Sequence, residues 1–309
     1  MGKPLIRAPE GRHDDSPALQ RREKREDGTS PGGTTDFLPQ NSFKLSEASN
    51  AEPEQNPVSA SVEIRTLTTP QDLFAAAAEE VVQTATQAAV ERGRFTIALS
   101  GGSTPRGLFT LLAANARSVL PWAQMYFFWG DERHVPPDDP DSNYRMANES
   151  LLAKIPVASA NVFRIPAENP DAAAAAQAYE QTLQSFFQLQ PGEFPRFDLI
   201  LLGIGPDGHT ASLFPESAGL NEKSHLVIAN WVEKFKTNRI TFTFPMLNTA
   251  RSVAFLVSGI DKAPALHAIL EDKTAPGERY PAKLVRPSDG KLIWFLDKAA
   301  ASELSSAPS

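Results

Sequence analysis

The sequence predicts one α/β domain of about 250 residues, spanning positions 61–309, with a mostly parallel sheet covered by helices on both faces. Two observations predict it. Short runs such as Asp198-Leu199-Ile200-Leu201-Leu202 are almost continuously apolar, the pattern of strands buried on both faces. Helical stretches then alternate with these runs along the chain.

The first helix is signalled by Thr69-Pro70-Gln71-Asp72, a capping box with proline at the first helical position. Phe74, Ala77, Ala78, Val81, Val82, Ala85 and Ala89 follow at helical spacing, and Gly93 ends the element. Strands are expected at Phe95–Leu99, Tyr126–Trp129, Val162–Ile165, Phe197–Leu202, Leu226–Ala229, Ile240–Phe244, Val253–Val257 and Leu292–Leu296. Further helices are expected at Pro105–Ala116, Asn143–Lys154, Asp171–Gln190 and Asp261–Leu270.

Residues 1–60 read differently. They hold seven prolines, few large apolar residues and the mixed-charge run Arg21-Arg22-Glu23-Lys24-Arg25-Glu26-Asp27. Such a segment buries too little to offset its ordering entropy, so a disordered extension is expected. A basic partner-binding arm at Arg21–Arg25 is the sharper alternative, weakened by the interleaved acids.

Bulk composition narrows function. Apolar residues are 41% of the 309, enough for a substantial core. A net charge of −7 argues against nucleic-acid binding, which needs a broad basic face. There is no cysteine, which removes disulfides, thiolate nucleophiles and Cys-based metal sites, and suits a reducing compartment. No apolar run approaches the roughly 18–20 residues that span a bilayer, and the acidic first residues lack a secretory core. Position 6 is Ile where myristoylation wants Ser or Thr. A cytoplasmic protein with no membrane partner is expected.

In parallel sheets ligands bind outside the carboxyl ends of the strands, so the loops after strands are where chemistry is sought. Ser100-Gly101-Gly102-Ser103-Thr104-Pro105 joins a strand to a helix. Its glycines admit close backbone approach, its hydroxyls donate, and the helix N-terminus favours an anion. This is a phosphate cradle or a capped strand-to-helix turn. It is not a Walker loop, because no Gly-Lys-Ser/Thr follows.

Trp129-Gly130-Asp131-Glu132-Arg133-His134-Val135-Pro136, continuing to Asp141-Ser142-Asn143-Tyr144, follows another strand. Arg133 suits bidentate grip of a phosphate or carboxylate, and Asp131 suits orientation of a water or sugar hydroxyl. The alternative is a salt-bridged loop with Asp141 or Ser142 capping a helix, and for His134 the structural reading is preferred. A metal site from Asp131, Glu132 and His134 is disfavoured, because adjacent side chains rarely converge on one ion.

The third loop is Gly203-Ile204-Gly205-Pro206-Asp207-Gly208-His209-Thr210-Ala211-Ser212-Leu213-Phe214-Pro215. It contains a formal G-x-G-x-x-G, but the next strand ends in Asn230 and Trp231, without the acid that would hold a ribose. His209 instead suggests an imidazole presented for proton transfer, with Asp207 near enough to orient it. Arg239, opening a strand, and Lys262, at a helix start where a cation opposes the dipole, add positive charge. His13, His225 and His267 lack such context. There is no serine-hydrolase G-x-S-x-G elbow, so water is the expected nucleophile of any hydrolysis.

Taken together, the three loops, Arg239-Ile240-Thr241, Lys262 and the terminal Trp294-Phe295-Leu296-Asp297-Lys298 closely resemble the 6-phosphogluconolactonases. The resemblance runs from residue 62 to about 303. It implies a Rossmann-like fold similar to glucosamine-6-phosphate deaminase, with no nicotinamide cofactor and no metal. It implies hydrolysis of 6-phospho-D-glucono-1,5-lactone in the oxidative pentose phosphate pathway, by a monomer or small homo-oligomer whose partner is the sugar-phosphate lactone. His209 would be the general base on water, with Asp207 and Arg133 beside it. Ser100, Gly101, Gly102, Ser103, Thr104, Asp131, Arg239 and Lys262 would bind substrate, the Ser100–Thr104 loop with Arg133, Arg239 and Lys262 holding its phosphate and stabilising charge on the carbonyl. The deaminases differ at two places: they carry a glutamate five residues after the histidine, where this chain has Phe214, and an aromatic where it has Arg133. A sugar-phosphate-sensing regulator is a non-enzymatic alternative, but residues 1–60 show no helix-turn-helix pattern.

Overall fold

The computed structural model describes residues 61–115 and 119–305; the expected extension, 1–60, lies outside the described residues. In chain order the elements are β1 (Ser61–Leu67), α1 (Pro70–Arg92), β2 (Phe95–Leu99), α2 (Ser103–Asn115), β3 (Met125–Trp129), β4 (Asp131–Arg133), α3 (Asn143–Ser150) and α4 (Ala172–Phe187). There follow β5 (Leu199–Leu202), β6 (Val227–Val232), β7 (Thr237–Phe242), α5 (Phe244–Asn248), β8 (Ser252–Val257), α6 (Ala263–Leu270) and β9 (Lys291–Asp297).

Six strands form the main sheet in the order β1-β9-β8-β5-β2-β3, and every pairing in it is parallel. Every residue of β2, β5 and β8 is buried. Successive strand side chains point to opposite faces, so uninterrupted burial means both faces are covered. This is the expected α/β architecture. The strands expected at 226–229 and 240–244 lie elsewhere: β6 and β7 join β4 in a three-stranded antiparallel sheet, ordered β4-β7-β6.

Local chemistry explains most element ends. The Thr69 hydroxyl accepts from Asp72 N at 3.2 Å while the Asp72 carboxylate accepts from Thr69 N at 3.0 Å. Gly93 closes α1 in the left-handed region, φ 71°. The carboxylate of Asp171 accepts from the N–H groups of Ala173 and Ala174 at the head of α4. The expected strand at 162–165 shrinks to a single bridge between Val162 and Phe127. It is squeezed between a 3-10 turn at Ser159–Asn161 and Pro166, which cannot donate to a ladder. The helix expected at 143–154 stops at Ser150, because Leu151 leaves helical geometry before a 3-10 turn resumes.

Strand order places the functional edge. From β2 the chain steps outward to β3, then returns past β2 to β5 and continues the other way through β8 to β9. The connections therefore diverge between β2 and β5, the switch point where open α/β sheets form a crevice at the carboxyl ends. At the opposite end Asp198 fixes these same two strands. Its buried carboxylate accepts from Thr96 N (2.8 Å), Thr96 Oγ1 (2.9 Å) and Arg92 Nε (3.1 Å).

Candidate active site

The loops singled out in the sequence leave the carboxyl ends of four consecutive strands, β8, β5, β2 and β3. The crevice between β2 and β5 is bordered by Ser100–Thr104 on one side and by Asp207 and His209 on the other.

After β2, Gly102 adopts φ +104°, and α2 begins at Ser103, two residues earlier than expected. The first N–H groups of a helix have no intrahelical partners and present a partial positive charge. Gly101 is required by contact: a Cβ there would lie 1.8 Å from Asn143 Oδ1. The Asn143 side chain is buried against this loop, and its Oδ1 accepts no hydrogen bond.

After β3, Gly130 donates to Leu99 O at 3.0 Å and accepts from Phe242 N at 2.8 Å, so the small sheet grows directly from the edge of the large one. The preceding Trp129 backbone is clamped by the Tyr179 hydroxyl from α4, which accepts from Trp129 N at 2.9 Å and donates to Trp129 O at 3.2 Å. Asp131 is buried. Its carboxylate accepts from Ser212 Oγ at 2.6 Å and from Asn143 Nδ2 at 3.3 Å. It thus ties the second loop to the third, while its partner Asn143 packs against the first, and it faces inward rather than lying open on the edge. Glu132 is buried too, and accepts from Ser142 Oγ and from the N–H groups of Arg133, Asn143 and Tyr144. Burial raises its pKa, and those backbone donors oppose the rise. Glu132 therefore anchors the start of α3, which Ser142 caps as expected. His134 bonds Asn169 O at 2.6 Å, the structural role preferred for it.

Arg133 and Arg239 are directly paired residues of the antiparallel β4–β7 ladder. Arg133 donates to Asp141 O. The Arg239 Nε is buried without a hydrogen-bond partner, and the guanidinium lies over the Phe235 ring at 5.3 Å. Burial and the neighbouring Arg133 charge lower the pKa of Arg239, with Asp131 and Glu132 working the other way. Two close cations without ion-pair partners among the described residues leave positive charge here that a carboxylate of the chain does not neutralise.

In the loop after β5, His209 Nδ1 and Asp207 Oδ1 are 2.5 Å apart. Burial disfavours ionised Asp207, but the hydrogen bond and charge of His209, with Lys234, outweigh it and hold the carboxyl well below the usual aspartate range. Gly205 gives the imidazole room, since a Cβ there would meet the ring at 2.1 Å. The Phe214 ring stacks on the imidazole, centroids 4.0 Å apart. A cavity of about 660 Å³ borders Asp207 and Phe214 and is further lined by Trp231, Lys234, Arg279 and Tyr280. Lys262 stands at the carboxyl end of β8, where its ammonium pairs with Asp261 at 2.6 Å.

Sequence reasoning gave Asn143, Ser212, Lys234 and Phe235 no role. The available signal for Asn143 was its position at the first helical residue, just past the cap, where the side chain serves no capping purpose. Among the described residues no group of three or more His, Cys, Asp or Glu side chains is arranged to hold a metal ion.

Comparison with known proteins identifies the family. Residues 68–294 match the family model described as glucosamine-6-phosphate isomerases/6-phosphogluconolactonase. A 6-phosphogluconolactonase of Synechocystis sp. is 47% identical over 219 residues, 71% of this chain and 88% of that protein. The solved structure of 6-phosphogluconolactonase from Trypanosoma brucei superposes with a TM-score of 0.72 at 32% identity, covering 80% of this chain and 100% of that one. A monomeric glucosamine-6-phosphate deaminase shares the fold, with a TM-score of 0.64 at 22% identity over 78% of this chain and 99% of that one. The chain is an enzyme of the glucosamine-6-phosphate isomerase/6-phosphogluconolactonase family.

Proposed function

We propose that the chain hydrolyses 6-phospho-D-glucono-1,5-lactone to 6-phospho-D-gluconate, as in the oxidative pentose phosphate pathway, with His209 as general base on water. The observation that carries the mechanism is the Asp207–His209 pair at the switch point of the sheet. Ionised Asp207 accepts the Nδ1 proton, which leaves Nε2 as the basic nitrogen. Nε2 takes a proton as water attacks the lactone carbonyl. The tetrahedral intermediate collapses with cleavage of the ring C–O bond, and the departing oxygen takes the proton back as a hydroxyl.

The phosphate dianion lies against Arg133 and Arg239, relieving their mutual repulsion, and the Ser100–Thr104 loop and Lys262 complete the binding surface. Asp131 contributes from below, holding Ser212 and Asn143 in place. A lactone is an activated ester, so a positioned base worth about 10²–10⁴-fold, with a comparable electrostatic contribution at the oxyanion, suffices. The absence of cysteine suits the reducing cytoplasm, where we expect a monomer or small homo-oligomer.

Phe214 favours this reading over deamination, since it covers an imidazole face where the deaminases bring a glutamate. A coupled lactone-hydrolysis assay on purified protein, with glucosamine 6-phosphate as control substrate, tests the assignment. Turnover of the amino sugar without lactone hydrolysis would overturn it.

A further inference from the structure

The turn between β6 and β7 reaches both functional ends of the site. It is a 3-10 turn at Glu233–Phe235, closed by Lys236 in the left-handed region at φ 51°. Lys234 pairs with Asp207 at 3.4 Å. Phe235 meets Phe214 edge to face, centroids 5.9 Å apart at 81°. Phe214 in turn stacks on His209, and the Phe235 ring also meets the Arg239 guanidinium at 5.3 Å and the Lys234 ammonium at 5.5 Å. A continuous series therefore runs from Arg239 through Phe235 and Phe214 to His209.

Phe235 is half exposed, so its ring packs on these partners from the surface and not from within the core. A single hydrogen bond to Asp207 leaves the imidazole free to rock about the Nδ1–Oδ1 line. The Phe214 face removes that freedom only while Phe214 itself is held, and Phe235 supplies the edge that holds it. The same ring offers its face to a guanidinium whose Nε has no other partner.

We infer that Phe235 is a positioning residue for the reaction, fixing His209 through Phe214 and Arg239 by direct contact. This rests on the proposed roles of His209 as base and Arg239 as phosphate ligand. The geometry couples proton transfer to phosphate grip through one exposed ring, and positional error at a reacting group is expensive in rate.

The test compares Phe235→Ala, Phe235→Leu and Phe235→Tyr in the full chain, measuring kcat, KM, inhibition by inorganic phosphate and melting temperature, with His209→Asn alone and combined with Phe235→Ala. Phe235→Ala should lower kcat about three- to ten-fold and weaken phosphate inhibition several-fold. Its melting temperature should stay close to that of the wild type, because the residue is half exposed. Phe235→Tyr should restore both quantities and Phe235→Leu neither, since Leu keeps bulk without an aromatic face. In the His209→Asn background, Phe235→Ala should no longer affect kcat but should still weaken phosphate inhibition. Wild-type kcat and phosphate inhibition in Phe235→Ala, with His209→Asn inactive, would overturn this inference and leave the function standing. So would rescue by Leu equal to rescue by Tyr. Full turnover by His209→Asn would instead remove the base assignment, and the His209 half of the inference with it.

Discussion

Arg133 and Arg239 occupy directly opposed positions of the β4–β7 ladder, and among the described residues neither guanidinium has a carboxylate partner at ion-pair distance. Like charges placed opposite each other destabilise a sheet, so the arrangement holds electrostatic energy that a bound anion would release. Inorganic phosphate should therefore raise the melting temperature of the wild type. Arg133→Ala and Arg239→Ala should each shrink that rise and weaken phosphate inhibition by roughly ten- to a hundred-fold, the worth of a charge-assisted hydrogen bond. An unchanged phosphate response in either variant removes that arginine from the site.

His209→Asn keeps polarity and approximate size but cannot accept the proton. Turnover should fall on the order of 10²–10⁴-fold while the melting temperature is retained. A destabilised variant with near-normal kcat per folded molecule would make His209 a brace for its loop and leave the water without a base.

Asp207 gives the pH signature. Its carboxyl is held below the ordinary aspartate value of 3.8 in the folded state, so the fold is favoured by its ionisation. That contribution is complete above the ordinary value and fades as pH falls below it. Wild type should outmelt Asp207→Asn at neutral pH, with the gap closing below about pH 4. Because Asp207 stays ionised throughout the working range, loss of kcat toward acid should follow a single ionisation. Two ionisations, or a melting gap that widens in acid, would contradict this.

Gly101 and Asn143 form a steric pair. Gly101→Ala drives a methyl into the buried Asn143 amide, which is held by Asp131 and cannot move aside. Activity should drop with it, and Asn143→Gly in the same chain should restore part of the loss by emptying the space. Ser212→Ala, which strips a donor from buried Asp131, should reduce stability by about 1–3 kcal/mol in chemical denaturation.

Truncation to Ser61 keeps every described residue of β1. We expect the shortened protein to melt cooperatively with turnover unchanged. Loss of either would show that residues 1–60 belong to the working domain.

The parts of this molecule written in local chemistry were legible in the sequence. The α1 capping box, the Gly93 stop and the apolar strands β2, β5 and β8 need only neighbours along the chain to be recognised. Edge strand β1 has no apolar run to mark it, since its apolar Val62 and Ile64 alternate with charged residues and lie exposed at the sheet's edge. Strand β4 has the sequence of a loop, since a three-residue strand of charged side chains exists only through its pairing with β7. The site divides in the same way. Asp207 and His209 sit two residues apart, and their relation was readable. The links Asp131 to Ser212 and Phe235 to Phe214 join segments distant in sequence, and only the fold brings them together.

Gly130 carries a consequence for how the site tolerates change. Because β4 grows straight out of β3 through this residue, the height of Arg239 above the crevice is set by ladder register and not by loop conformation. Side chains alternate faces along a strand, so a one-residue slip of β7 against β4 would turn Arg239 to the opposite face while leaving every backbone bond replaceable. If Arg239 grips an anion as proposed, such a slip would abolish the grip in one step, whereas side-chain replacement, at Phe235 included, would grade it.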